Sequence, residues 1–428
     1  MSEAQVATGS DAGDAVAVSA CRGCGASSLV AVVDLGEQPA CDHFPPVGEG
    51  VPDPTWPLGL VLCPECGLSQ LSHDSPAPEE PLAVESATLK RHAVEVSGRL
   101  VDRLNLEPGT RVREFASHHG GSWTDALCAA GLTVLGASSR ENSDDDARRE
   151  RGAATADDER VLSVADRERD ATAEDDERDA VLADVVIDNM SIIHAEDLQA
   201  ELAERVAALA PGGRLVIEFH HALPQVTQGQ FDSIRHGHPL YFSLGSWRAA
   251  VQRFGLEVET AWPEDVFGGC LVVVARAGAE PDEAARAVLA AEAEAGLATP
   301  EGYAPLARRA REAGAGLREL LQSEVAAGRR VAAYGAGSKG VVFLNAAGVD
   351  ADLLPMTADL SPAKHGRRIP GTSIPIVSPD DLVAAVPDTV VILTWDIARE
   401  VVTDLTTRGL THTTWWVAQP VLEQVRFP

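Results

Sequence analysis

Four cysteines near the start of the chain have the type and spacing of metal ligands. Cys21 and Cys24 form one Cys-x-x-Cys pair and Cys63 and Cys66 form another, and a glycine follows each pair. Two such turns supply the four thiolates that Zn²⁺ takes in a closed tetrahedral site. Disulfides or a redox dithiol are the alternatives. A reducing cytoplasm disfavours disulfides, and a redox pair would not come in duplicate around a proline-rich insert. The spacing therefore predicts a structural zinc site.

The other three cysteines are not expected to bind the metal. Cys41 lies in the insert between the two pairs, beside His43, and both could be alternative ligands, although we interpret them as incidental. Cys128 lies in an apolar stretch typical of a helix, and Cys270 follows two glycines. Free cysteines are among the most buried residue types, so we predict that both are buried thiols.

Histidines form a second group of reactive side chains. Arg235, His236 and His238 lie in one short segment after a predicted strand, and His194 follows the strand that ends at Asn189. Ligands of parallel α/β sheets bind at the carboxyl ends of the strands, so these side chains could face one ligand. Imidazoles near neutral pKa suit proton transfer. A structural role for each histidine is the alternative.

Cations and a glycine turn mark the last hundred residues. Tyr334 ends a predicted strand, and the glycines that follow lead to Lys339. Their spacing is not that of a P-loop, which argues against an NTPase. Lys364 and Arg367 add positive charge, and the three cations could hold a diphosphate. Solvated surface charges are the alternative.

A second possible cofactor site lies in the middle of the chain. The Gly120-Gly121 turn follows a predicted strand, where glycine lets the backbone approach a nucleotide. The next strand ends at Ser138-Ser139-Arg140 and lacks the acid that normally holds ribose hydroxyls. Hydroxyls with an arginine would suit the 2′-phosphate of NADP. Alternatively, Arg140 simply opens the charged segment that follows.

Alternating strands and helices position these groups. The pattern predicts an α/β protein with a parallel, doubly wound sheet in its middle and a second β-α series at its C-terminus. We assign residues 16–80 to the zinc module, 81–280 to the central α/β domain, 281–327 to a helical linker and 328–428 to the last domain.

Length and charge restrict the function. The 428 residues suggest two to four domains, and a net charge of −30 argues against nucleic-acid or anionic-membrane partners. The sequence lacks an apolar run long enough to span a membrane and a basic leader, so we expect a soluble, cytoplasmic protein.

Taken together, these motifs resemble the sugar C-methyltransferases of antibiotic deoxysugar biosynthesis. The resemblance covers about residues 20–425 and rests on CRGCG…CPECGLSQL, EFASHHGG, NMSIIHAEDL, FDSIRHGHPLYFSL and YGAGSKG…LSPAKHGRRIPGTSIPI. It implies a zinc-binding domain, a central Rossmann-like S-adenosylmethionine domain and a second Rossmann-like domain. The implied substrate is a dTDP-linked 4-keto-deoxyhexose, methylated at C-3 after a base removes a proton next to the ketone.

The resemblance also suggests roles for individual residues. His238 corresponds to the proposed base and His194 to a second active-site histidine, with Arg235 and His236 beside them. Lys339, Lys364, Arg367 and Tyr334 are the expected substrate contacts. The expected cofactor contacts are Glu114, Ser117, His119, Gly120, Ser138, Arg140 and Asn189.

This chain departs from the family pattern around the reacting groups. Ser138 replaces the ribose-binding acid, and Arg235 and Gly237 replace a tyrosine and a glutamate of a Tyr-His-Glu-His stretch. Glu85 stands where the family has a tyrosine. Two alternatives therefore stay open beside methyl transfer: an NADPH-dependent 4-ketoreductase in the same pocket, alone or with methylation, and an inactive sugar-nucleotide-binding helper.

Overall fold

The structure is a computed structural model that describes residues 14–48, 52–80, 82, 84–116, 121–136 and 181–427. The strands of the described residues are β1 (Val16–Ala17), β2 (Val30–Pro39), β3 (Thr55–Leu62), β4 (Ser69–Leu71), β5 (His73–Asp74), β6 (Arg111–Ala116), β7 (Thr133–Leu135), β8 (Ala183–Asn189), β9 (Leu209–His220), β10 (Leu240–Tyr241), β11 (Glu257–Glu264), β12 (Cys270–Arg276), β13 (Val331–Tyr334), β14 (Thr357–Ala358), β15 (Ile376–Val377), β16 (Thr389–Ile392), β17 (Thr414–Val417) and β18 (Glu423–Val425). The helices are α1 (Ala87–Leu104), α2 (Thr124–Ala129), α3 (Leu198–Ala207), α4 (Ala222–Gln228), α5 (Leu244–Gln252), α6 (Glu283–Glu294), α7 (Pro300–Ala326), α8 (Ser338–Ala347), α9 (Pro379–Ala385) and α10 (Ala398–Thr407).

The N-terminal sheet contains a strand from a distant part of the chain. Its order is β10-β4-β3-β2, and all its pairs are antiparallel. In the β10–β4 pair, Leu240 lies opposite Gln70 and Tyr241 opposite Ser69. The N-terminal module is therefore completed by two residues of the middle segment.

The middle sheet holds six described strands in the order β11-β12-β9-β8-β6-β7. The pairs among β7, β6, β8 and β9 are parallel, as predicted. The predicted parallel arrangement does not extend to β12, which pairs antiparallel with both β9 and β11. The short connection of residues 265–269 explains the antiparallel β11–β12 pair, because it is long enough for a hairpin but too short for a parallel crossover.

Local signals define the helices that flank this sheet. Helix α1 begins where the Ser86 hydroxyl accepts a hydrogen bond from the Leu89 amide and ends at Asn105 in a left-handed conformation. Asp197 caps α3 by accepting from two backbone amides. These caps satisfy amides that the first helical turn leaves without partners.

The last sheet has the order β15-β14-β13-β16-β17-β18, parallel except for β18. The long helix α7 reaches this unit and packs closely on α8. A Cβ atom at Gly314 would lie 2.9 Å from the Ala347 Cα atom, so only glycine permits this approach. The linker predicted as helical consists of two helices, α6 and α7, and α7 begins at Pro300.

Two hydrophobic clusters join the three parts of the chain. One unites Phe44 and Leu58 of the N-terminal module with Phe343 and Leu344 of α8. Another packs Cys63 and its neighbours against the middle sheet. Because the N-terminal module contacts both α/β units, it holds them on either side of a shared space.

The predicted fold class is confirmed. Cys270 is buried, as predicted. Cys128 is exposed, so the prediction of a buried thiol is wrong at that position. Helix α2 is only six residues long and buries Leu127, which turns the neighbouring Cys128 outward. Among the described residues, no helix combines the length and the apolar character that crossing a membrane requires.

Candidate active site

A cavity of about 300 Å³ lies where the three parts of the chain meet. The N-terminal module supplies Asp42 and Glu80 to its wall, and α1 supplies His92. The rim of the middle sheet contributes His194 and His238 among others, and the last unit contributes Lys339 and Lys364 among others. Its position over the carboxyl ends of β8 and β9 is where ligands of such sheets bind.

The four predicted metal ligands come together in one cluster. Their sulfur atoms all lie within 4.8 Å of one another, with 3.5 Å between Cys21 and Cys66 and between Cys24 and Cys63. A zinc ion 2.3 Å from each of four sulfurs requires sulfur–sulfur separations of about 3.8 Å, close to these values. The Gly23 amide also donates to the Cys21 sulfur at 3.3 Å, as expected around a thiolate. Cys41 and His43 take no part in the cluster.

Three histidines form a group on the cavity wall. The ring centroids of His194 and His238 are 4.6 Å apart with an interplanar angle of 83°, and those of His220 and His238 are 5.6 Å apart. The sequence predicted the first two but missed His220, although its place at the end of β9 was a signal. His236, the third predicted histidine, packs edge-on against Trp56 and is not among the cavity-lining residues described.

His220 is held in its neutral form. Burial lowers the pKa of His220 to about 3, and the positive charges of Lys339 and Arg235 act in the same direction. At neutral pH this ring carries no charge. It therefore contributes a neutral polar surface beside His238.

Arg235 connects His238 to the N-terminal module. Its Nε atom lies 3.1 Å and its Nη2 atom 2.6 Å from His238 Nε2, while Nη1 donates to the Asp42 carboxylate. The side chains of Arg235 and Asp42 are only 8% and 13% exposed. Asp42 was missed at the sequence level because its role depends on a contact between distant segments.

A buried carboxylate and a histidine form a further pair on the wall. Glu218 Oε1 accepts from His92 Nε2 at 2.8 Å. Burial raises the pKa of the Glu218 carboxyl, although its bond with His92 acts in the opposite direction. For His92, burial lowers the pKa, but the bond and the charge of Glu218 outweigh it and the net shift is upward. This pair places a shared proton at the cavity wall, and neither residue was predicted from the sequence to belong to the site.

Two predicted cofactor contacts can be located. Glu114 accepts from the Trp123 amide at 2.7 Å and from the hydroxyls of Ser122 and Thr124, so its carboxylate organises the turn before α2. Asn189 lines the cavity and donates to the Gly121 carbonyl. The remaining predicted contacts lie outside the described residues: Ser117, His119, Gly120, Ser138 and Arg140. The NADPH alternative depends on Ser138, Ser139 and Arg140, so its cofactor contacts also lie outside the described residues.

The predicted substrate cations separate into two groups. Lys339 and Lys364 line the cavity, and Lys339 Nζ donates to the Phe267 carbonyl at 2.8 Å and to Asp396 at 2.9 Å. Lys364 Nζ donates to the Ala336 carbonyl at 2.8 Å. Arg367 instead pairs with Glu80, and Tyr334 is buried in the core of the last unit. Neither of these two is among the described cavity-lining residues.

Comparisons with known proteins match all three parts of the chain. Residues 21–80 match a zinc binding domain family, residues 89–261 a methyltransferase domain family, and residues 265–420 a family described as C-methyltransferase C-terminal domain. The C-methyltransferase NovU of Streptomyces niveus is 31% identical over 395 residues, which cover 89% of this chain and 91% of that protein.

Solved structures with weaker similarity are also methyltransferases. The N-methyltransferase NodS from Bradyrhizobium japonicum WM9, in complex with S-adenosyl-l-homocysteine, is 17% identical, covers 46% of this chain and 95% of its own, and has a TM-score of 0.28. The magnesium protoporphyrin IX methyltransferase from Synechocystis PCC 6803 is 15% identical, covers 46% and 91%, and has a TM-score of 0.30. These scores are too low to add to the argument.

Proposed function

The chain belongs to the C-methyltransferase family that combines a zinc-binding, a methyltransferase and a C-methyltransferase C-terminal domain, and on this basis we propose that it methylates a nucleotide-linked keto-deoxysugar. The enzyme is an S-adenosylmethionine-dependent C-methyltransferase. The proposed substrate is a dTDP-4-keto-deoxyhexose, and the proposed site of methylation is C-3, next to the ketone.

The observation that carries this proposal is the shared cavity. It brings His194 and His238 together with two of the three lysines of the chain, Lys339 and Lys364. A carbon–hydrogen bond is acidic enough to break only beside an activating group such as a ketone, and histidine is a suitable proton acceptor. The lysines suit the anionic part of a sugar nucleotide, which a chain of net charge −30 would otherwise repel.

The described residues fit the methyl donor at the rim of the middle sheet. Gly121 has a φ angle of +91°, and a Cβ atom built there would meet no atom within 4 Å, so the turn leaves open space beside Asn189. Asn189 and the turn held by Glu114 would bind the donor. When bound, S-adenosylmethionine supplies an electrophilic methyl group on a positively charged sulfur.

The chain's own groups have three tasks in the reaction. A histidine of the pair His194 and His238 accepts the proton from the sugar carbon, and His220 beside them adds an uncharged polar surface to the wall. Lys339 and Lys364 orient the substrate from the opposite unit. Holding the reacting carbon in one orientation lowers the entropic part of the barrier.

Zinc, in this proposal, is architectural. All four ligand positions would be filled by cysteine sulfurs, which leaves none open for substrate, and none of the four cysteines is among the cavity-lining residues described. The metal would stabilise the module that carries Asp42 to Arg235. It therefore supports the site from a distance.

Product analysis with matched substrates tests the proposal. The full-length protein is incubated with S-adenosylmethionine and either a dTDP-4-keto-deoxyhexose or the same sugar with a hydroxyl at C-4. We expect a carbon-bound methyl group and S-adenosylhomocysteine with the ketone only, because the hydroxyl does not acidify C-3. Transfer to an oxygen, equal transfer to both sugars, or binding of the ketone without any turnover would contradict the proposal.

A further inference from the structure

The sheet holds the His220 ring in place on the cavity wall. His220 ends β9 and lies directly opposite Cys270 of β12, so the two side chains are on the same face of the sheet. The imidazole packs between two other rings, with its centroid 5.6 Å from that of His238 and 5.4 Å from that of Phe267. All three rings line the cavity.

Cys270 decides which nitrogen of His220 carries the proton. Burial raises the pKa of the Cys270 thiol, so the sulfur keeps its hydrogen at neutral pH and donates it to the Val266 carbonyl oxygen at 3.4 Å. The same sulfur lies 3.9 Å from His220 Nδ1, and with its hydrogen already used it can only accept there. Nδ1 is therefore the donor. Because the His220 ring is neutral, it has one N–H and one lone pair, and the lone pair is on Nε2.

The Nε2 atom of His220 is available to a ligand. Within the part of the chain that the structure describes, this nitrogen has no hydrogen-bond partner, and the ring is only partly buried in the cavity wall. A ligand that displaces water from Nε2 without donating a hydrogen bond would leave a polar atom unsatisfied, which weakens binding. The positive charges of Lys339 and Arg235 nearby disfavour a cationic donor. A neutral donor such as a hydroxyl group fits this position.

The neighbours of His220 indicate which part of the substrate it meets. On one side lies His238, one of the two histidines to which the proposed function assigns proton transfer. On the other side lies Phe267, whose carbonyl oxygen accepts from Lys339 Nζ at 2.8 Å. In the proposed function, Lys339 binds the anionic group attached to C-1 of the sugar and the histidines face C-3. The carbon between these two points is C-2.

We propose that His220 Nε2 accepts a hydrogen bond from the hydroxyl group on C-2 of the sugar, so that the enzyme selects a keto-6-deoxyhexose that retains this hydroxyl over a 2,6-dideoxy sugar. This inference rests on the proposed function and names the substrate class within it. With a 2-deoxy sugar, Nε2 loses water and gains no partner, so the affinity falls. His220 determines specificity and does not take up a proton during the reaction.

Two sugars and two amide variants test this inference. The full-length protein is titrated by calorimetry with a dTDP-4-keto-6-deoxyhexose and with its 2-deoxy analogue, with S-adenosylhomocysteine present so that no turnover occurs. We expect the wild type to bind the sugar with the C-2 hydroxyl at least about tenfold more tightly, because the site is built to accept that hydrogen bond.

The two variants differ in how far their amide reaches. His220→Gln should keep most of this ratio, since its side-chain oxygen can lie close to the Nε2 position. His220→Asn is shorter and should bring the ratio of the two affinities to about one. The exposed His412, changed to Asn, is the control and should keep the wild-type ratio.

Each result decides the inference. Equal affinities of the wild type for the two sugars, or an equal ratio in His220→Gln and His220→Asn, would overturn it even if methylation itself is confirmed. If neither sugar binds, the proposed function fails and this inference fails with it. Nitrogen-15 NMR of histidine-labelled protein gives a readout that needs neither substrate nor variants: we expect the His220 proton on Nδ1 at neutral pH, and a ring protonated at Nε2 would refute the proposal.

Discussion

Replacing Asp42 by asparagine tests the connection between the N-terminal module and the histidines on the cavity wall. Asp42 and Arg235 are only 13% and 8% exposed. Removing one partner of a buried ion pair costs about 3–5 kcal/mol, because the other charge stays buried. Arg235 keeps its bonds to His238, so we expect the lower end, about 3 kcal/mol.

Asp74→Asn is a matched control in the same module. Asp74 also pairs with an arginine, Arg22, but its side chain is 59% exposed. Exposed pairs contribute about 0–1 kcal/mol, so this variant should be close to the wild type in stability. The two substitutions make the same chemical change and differ mainly in burial.

Urea unfolding followed by circular dichroism measures the difference. With a slope of about 3 kcal/mol per molar urea, the midpoint should fall by about 1 M for Asp42→Asn and by less than about 0.3 M for Asp74→Asn. A chain with several hydrophobic cores need not unfold in one step. We therefore compare the midpoint of the unfolding transition that the substitution shifts. Equal shifts for both variants would refute the reasoning that burial makes the Asp42 pair important.

Three further predictions concern other groups. Burial raises the pKa of Asp232 to about 6, so the folded state binds the carboxyl proton more tightly than the unfolded chain does, and the stability that this proton adds at low pH is lost as pH rises from about 4 through 6. Asp232→Asn should therefore stabilise the protein at pH 7 by up to about 3 kcal/mol, and this gain should disappear near pH 4. Urea midpoints at the two pH values measure the difference. Cys63→Ser should lower bound zinc and the thermal midpoint together, measured by metal analysis and calorimetry. Lys339→Ala should raise the KM for the sugar nucleotide by about tenfold or more, measured by steady-state kinetics.

Each of these has a result that would contradict it. An Asp232→Asn gain that is the same at pH 4 and pH 7 would show that titration is not its cause. Zinc retained at full stoichiometry in Cys63→Ser would remove the four-cysteine site. Lys90→Ala is the control for Lys339→Ala, since Lys90 is exposed on α1, and an equal change in KM for both would mean that Lys339 has no special contact with substrate.

The sequence predicted the features that depend on local spacing. The two Cys-x-x-Cys pairs can be recognised in the sequence because each pair occupies a single turn. The four cysteines form the predicted cluster. His194 lies on the cavity wall because side chains after strand ends of a parallel sheet share one edge. The same rule would have found His220, which ends β9.

Contacts between residues far apart in the chain could not be predicted from the sequence, for physical reasons. The partner of Arg235, Asp42, is distant in the chain, and nothing in the types of the two residues marks them as a pair. Arg367 was grouped with the lysines by charge alone, but it pairs with Glu80. The two-residue strand β10 is too short to show any periodic pattern.

The pairing of β4 with β10 has a consequence for synthesis of the protein. The edge of the N-terminal sheet leaves the ribosome well before residues 240–241 exist to cover it. At translation speeds of about 5–20 residues per second, that edge is uncovered for roughly ten to thirty seconds. During this interval its unpaired backbone groups are open to other nascent chains, so we expect chaperone supply and codon usage across this stretch to affect the yield of folded enzyme.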